Sequence, residues 1–131
     1  MVKLEVTKSA TAKKIESHDD RMAKLSFGAV YPLYKTKVER KGRSTAELDA
    51  VISWLTKFDA KKIHQLAAKN VTFKDFFSEA KLNANAKRIT GTICGVRVEE
   101  IKNPLTRKVR YLDKLVDELA QGKSLEKILR V

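Results

Sequence analysis

The chain is poor in the residues that make loops, staples and metal sites. Its 131 residues include one cysteine, two prolines, five glycines and two histidines. A single cysteine cannot close an intramolecular disulfide, which fits a reducing compartment. So few prolines and glycines leave little material for long irregular connections, and favour helices joined by short turns. No apolar run approaches the ~20 residues needed to cross a bilayer, so no membrane partner is expected. The opening "MVKLEVTKSATAKKIESH" lacks the apolar core of a signal peptide and the arginines of an organelle presequence. It reads as a flexible basic extension over residues 1–16, ahead of one domain over 17–131 that is expected to be cytoplasmic. No internal repeat or low-complexity segment is present.

What the chain has is positive charge. Lys and Arg number 28 against 16 Asp and Glu, a net charge of +12. Residues 1–17 account for only +2, so +10 belongs to the folded part. A basic fold points to association with nucleic acid or another polyanion, and says nothing about the fold itself. The excess gathers in two places. "KTKVERKGR" (35–43) carries Lys35, Lys37, Arg40, Lys41 and Arg43 against one acid. "KNPLTRKVRYLDK" (102–114) carries Lys102, Arg107, Lys108, Arg110 and Lys114 against one acid. Lys35, Lys37, Arg40, Lys41, Arg43, Arg107, Lys108, Arg110 and Lys114 are the candidate phosphate contacts. Cations near the start of a helix oppose its macrodipole, at a cost of about 0.3–1 kcal/mol each, so their presence there calls for a reason. Tyr31, Tyr34 and Tyr111 fall at core spacings rather than on a stacking surface.

Helical punctuation runs through most of the chain. Phe27, Val30, Tyr31, Tyr34 and Val38 form one stripe at helical period, with Pro32 expected to start or kink that helix. Ser44 and Glu47 have capping-box spacing ahead of Leu48, Val51, Ile52 and Leu55. Asp59 opens a short helix with Ile63 and Leu66, closed by Asn70, and Thr72 opens another with Phe73, Phe76 and Phe77. Asn103 and Pro104 start the longest helix, whose seam is Leu105, Val109, Leu112, Val116 and Leu119. Gly122 ends it, and Ser124 starts a final short turn. The fold class expected is all-α, a compact single domain of about six to eight short helices.

The segment "RITGTICGVRVEEI" (88–101) fits that pattern least. Its β-branched residues suit a strand, which would give an α+β alternative with residues 88–98 as a strand. A lone hairpin is marginal in water, however, and no other segment offers a partner strand. A central helix is the preferred reading, with Gly91 and Gly95 facing a neighbouring helix and Cys94 buried.

Catalytic and metal chemistry find little support. Cys94 is the one distinctive nucleophile, but no histidine is local to it, so no catalytic residue is assigned. His18, Asp19 and Asp20 are adjacent but lack further ligands, and His64 lacks the second histidine of a zinc helix. No metal and no cofactor are expected. Gly91 and Gly95 do not spell a phosphate loop.

Two stretches carry a family likeness. "VYPLYKTKVERKGRSTAELDAVISWLT" and "ITGTICGVRVEEIKNPLTRKVRYLDKLVDELAQGKSLEKILR" resemble the small, mainly bacterial family catalogued as domain of unknown function 2200, from about His18 to the end. The resemblance implies a short single-domain protein without an assigned activity, and brings no functional residues with it. The reading is therefore a small basic binding module, with nucleic acid as the favoured partner. The alternatives are a module binding a protein partner or a second copy through an apolar helix face, and an enzyme using Cys94.

Overall fold

The computed structural model describes residues 17–130; the basic extension over 1–16 lies outside the described residues. Seven α-helices are present among them: α1 (His18–Lys24), α2 (Phe27–Glu39), α3 (Thr45–Thr56), α4 (Ala60–Ala68), α5 (Phe73–Glu79), α6 (Pro104–Ala120) and α7 (Leu125–Ile128). Between α5 and α6 lie a 3-10 turn (Ala84–Arg88), a two-stranded hairpin of β1 (Thr92–Ile93) and β2 (Val96–Arg97), and a second 3-10 turn (Val98–Glu100). The domain is mostly helical.

Each α-helix begins at a side chain that accepts a hydrogen bond from its first turn. Ser17, Ser26, Ser44, Asp59, Thr72, Asn103 and Ser124 all cap in this way, and Ser44 with Glu47 closes the full reciprocal box. These caps satisfy N–H groups that no helical carbonyl can reach. Pro32 sits inside α2 rather than at its start, and the helix continues past it. The starts of α2 and α5 are tied together. Phe27 N–H donates to Val71 O at 2.7 Å and Phe73 N–H donates to Leu25 O at 2.8 Å. That tie brings the phenylalanines together, with Phe27 and Phe76 stacked at 4.1 Å between ring centroids.

The central helix is α6. It packs against α1, α2, α3, α5, α7 and the hairpin. Val109, Leu112, Val116 and Leu119 of the expected seam are buried, and so are Tyr111, Leu115 and Glu118 on other sides. The expected helix over 88–101 is thus corrected: the segment is a 3-10 turn, a hairpin and another short turn. Cys94 has φ +52° and Gly95 φ +80°, the left-handed pair that a two-residue hairpin turn requires. Two consecutive left-handed residues end any α-helix. The hairpin is stable because it is not alone. Ile89, Ile93 and Val98 are buried, β1 lies on α6, and Lys114 Nζ donates to Thr92 O at 3.0 Å.

Two smaller expectations fall with that helix. Cys94 is exposed at the hairpin tip, not buried. Nothing lies within 4 Å of where a Cβ on Gly95 would stand, so this glycine serves the turn and not helix packing. Gly91 approaches only the flexible end of Lys114, 3.5 Å from its own missing Cβ.

Candidate functional site

The cations of the two basic clusters line the paired helices α2 and α6. Tyr34 donates its hydroxyl to Asp113 at 2.5 Å, and Lys37 pairs with Asp117 at 3.3 Å. Arg43 reaches the carbonyls of Leu119 at 3.1 Å and Lys123 at 2.7 Å. Contact positions advance together along both helices, so α2 and α6 run in the same direction. Arg107 and the level of Leu119, where Arg43 docks, are therefore separated by about 18 Å of helix at 1.5 Å per residue. The clusters are strung along the pair and not merged into one patch. Lys35 and Lys37, two residues apart on α2, leave it about 200° apart around the axis.

Five of the nine candidates are committed to the fold. Arg43 forks onto Glu47, Nε to Oε1 at 3.1 Å and Nη2 to Oε2 at 2.8 Å, while its Nη1 closes the two carbonyls at and past the end of α6. This fork, with the Ser44 backbone N–H, holds the Glu47 carboxyl down at about 2. Arg107 Nε donates to Ile101 O at 2.8 Å, and Arg110 Nη1 donates to Asp113 at 3.0 Å while Nη2 faces His18 Nε2 at 3.5 Å. Lys114 holds the hairpin and Lys37 holds Asp117. At Arg107 the clash with the α6 macrodipole is offset by its carbonyl bond, whereas Lys108, one residue on, has no partner among the described residues. Arg107 and Lys114 both fold back onto carbonyls of the preceding chain. Lys35, Arg40, Lys41 and Lys108 have no ion pair or side-chain hydrogen bond among the described residues.

Other polar clusters had little sequence signal. Asp49 is 7% exposed; it accepts from the Tyr31 hydroxyl at 2.6 Å and lies 2.8 Å from His64 Nε2, joining α2, α3 and α4. Burial, then the Asp49 hydrogen bond, pushes the Tyr31 hydroxyl well above its ordinary range. Tyr34 is shifted the same way by burial and then by Asp113. Glu118 is 2% exposed and is held by a two-pronged Arg130, at 2.8 and 2.7 Å, with Lys123 at 3.6 Å. The only hint in the sequence was an acid next to an apolar seam, Asp49 after Leu48 and Glu118 before Leu119.

Two open clefts mark the surface. One, of about 410 Å3, lies between α1, α5 and the start of α6, lined by Asp19, Asp20, Lys74, Phe77, Asn103 and Lys108 among others. The second, of about 370 Å3, lies between α3 and the start of α4, where Asp49, Ser53 and Asp59 face three alanines. Among the described residues, no group of His, Cys, Asp and Glu is placed to hold a metal ion. No helix among them is long and apolar enough to cross a membrane.

Fold and surface together define a small, basic, mostly helical domain whose cations divide between those that brace the fold and those left open to solvent. The chain belongs to the bacterial family described as "Uncharacterized protein conserved in bacteria (DUF2200)", which matches residues 21–130. It is similar to the protein in the "Crystal structure of uncharacterized protein SP1917", with 42% identity and a TM-score of 0.78. That match covers 83% of this chain and 90% of the other. Among curated proteins none matches the chain significantly.

Proposed function

We propose that this protein is a non-enzymatic polyanion-binding module whose partner is nucleic acid. One observation carries the reading: among the described residues, Lys35, Arg40, Lys41 and Lys108 stay free of acids, on a domain with ten excess positive charges over residues 18–131. Phosphate contacts by such side chains release condensed counterions, which makes binding fall steeply with salt. Four contacts give a slope of about −3.6 in log affinity against log salt, or roughly 150-fold weaker binding between 50 and 200 mM. Arg43, Arg107, Arg110 and Lys114 brace the domain and supply long-range field rather than contacts.

Fluorescence anisotropy with a labelled single-stranded RNA and a labelled duplex DNA across that salt range tests the reading. Replacing Arg40 and Lys41 together by serine is expected to lower the slope by about two contacts. Absence of binding to either probe at about 50 mM salt ends it. The protein-interaction alternative rests on an apolar face of α6 or of the final short helix. Most of the α6 seam and Ile128 of α7 are buried, Leu105, Leu125 and Leu129 are partly exposed, and Leu33 is 67% exposed.

A further inference from the structure

The cleft between α1, α5 and the start of α6 has walls of both signs. Asp19 and Asp20 come from α1, Lys74 from α5 and Lys108 from α6. Asp19 is already engaged, accepting from Thr106 Oγ1 at 2.6 Å. Asp20, Lys74 and Lys108 are not: among the described residues, none of their side chains has an ion-pair or hydrogen-bond partner. A free carboxylate and two free ammonium groups therefore line one cleft without bridging it. Between them the lining is mixed: Ala23, Leu105 and the edge of the buried Phe77 are apolar, while Ser78 and Asn103 are polar, with the Ser78 hydroxyl bonded to Asp75 O and the Asn103 side-chain oxygen capping α6. The volume, about 410 Å3, falls within the range of small-molecule sites.

We infer that this cleft binds a small zwitterion, an α-amino acid or a dipeptide with an apolar side chain. Each wall rejects one class of ligand. An anion that gains from Lys74 and Lys108 meets Asp19 and Asp20, and a cation that gains from Asp20 meets the lysines. A molecule with an ammonium at one end and a carboxylate at the other satisfies both walls at once. Its carboxylate faces Lys74 and Lys108, its ammonium faces Asp20, and its side chain covers Ala23 and Leu105. The site shares Lys108 with the proposed phosphate contacts but differs from them in chemistry, because its lining is close to electroneutral while the domain around it is strongly basic.

Isothermal titration of the full chain with L-leucine and L-leucyl-L-leucine tests the inference. Leucinamide, which keeps only the ammonium, and 4-methylpentanoate, which keeps only the carboxylate, are the controls. The expected result is millimolar or tighter binding of at least one zwitterion, with both controls weaker by about tenfold or more. Asp20→Asn and Lys74→Met, at exposed positions, should each lose about tenfold while melting within a few degrees of the wild type, the small loss at Asp20 reflecting its place in the first turn of α1. No heat from either zwitterion overturns the inference. So does equal binding by a single-charge control, or unchanged binding in both variants. The two proposals fail separately, because Asp20→Asn removes a negative charge and leaves nucleic-acid binding equal or stronger.

Discussion

Gly28 offers a sharp test of the packing, because local and tertiary physics give opposite signs there. It lies in the first turn of α2, where alanine is favoured over glycine by about 1 kcal/mol in helix propensity. A Cβ at this position would stand 2.3 Å from Ala67 O, 2.3 Å from Asn70 Oδ1 and 2.8 Å from Asn70 Cα. Two of those atoms are backbone around the end of α4 and cannot rotate aside. Asn70 itself is held at φ +54°, which restricts how that turn can yield. Forcing a methyl into a packed contact costs about 1–3 kcal/mol, and the rigid neighbours place Gly28→Ala at the upper end. Subtracting the propensity gain leaves a net loss of about 2 kcal/mol. For a domain of this size that lowers the melting temperature by about 8 °C. Urea unfolding followed by circular dichroism measures it directly. A variant as stable as the wild type, or more so, would refute the close approach of α2 and α4.

The remaining predictions concern the Arg43 fork and the hairpin tip. Arg43 holds Glu47 at about 2, against an ordinary 4.5, so its contribution to stability is complete above about 4.5 and is lost as pH falls toward 2. Glu47→Gln is therefore expected to flatten the dependence of melting temperature on pH across that window, less so at high salt because the pair is only partly shielded from solvent; a slope identical to wild type speaks against the linkage. Cys94, exposed and left-handed, should react with a thiol reagent in the native protein about as fast as in the unfolded chain. Cys94→Asn should hold or raise the melting temperature, since Asn-Gly is the preferred pair for such a turn, and labelling that waits for global unfolding would contradict the hairpin.

Local physics made most of the helices readable. Ser44, Asp59, Thr72, Asn103 and Ser124 were legible as helix starts because a cap and its N–H partner lie within three residues. The seam of α6 was legible for the same reason, since its members repeat along one short segment. The hairpin was not, because what decides it is distant. Read alone, "TICGVR" is a marginal ribbon; what stabilises it is burial of Ile93 and the reach of Lys114 from 22 residues away. The candidate site failed on the same ground. Nothing near Arg43 announces that Leu119 and Lys123 lie beside it, 76 and 80 residues along. Asp49 likewise meets Tyr31 and His64 only once three helices have packed.

That division of the cations sets how a binding surface on this domain can be mapped. Arg43, Arg107 and Lys114 bond backbone carbonyls of distant or preceding chain, so neutralising them removes ties that hold those segments in place. A variant at any of the three that loses nucleic-acid binding reports damage to the fold as readily as a lost phosphate contact. Lys35, Arg40, Lys41 and Lys108 carry no such burden, and removing one subtracts a charge and little else. By charge alone Arg40 and Arg43 rank equally, but the bonds each makes separate them. Arg43 is a strut between α3 and the end of α6, whereas Arg40, at the end of α2, keeps its guanidinium unpaired among the described residues. Binding measured at the free positions, with stability measured at the braced ones, separates recognition from architecture on the same helix pair.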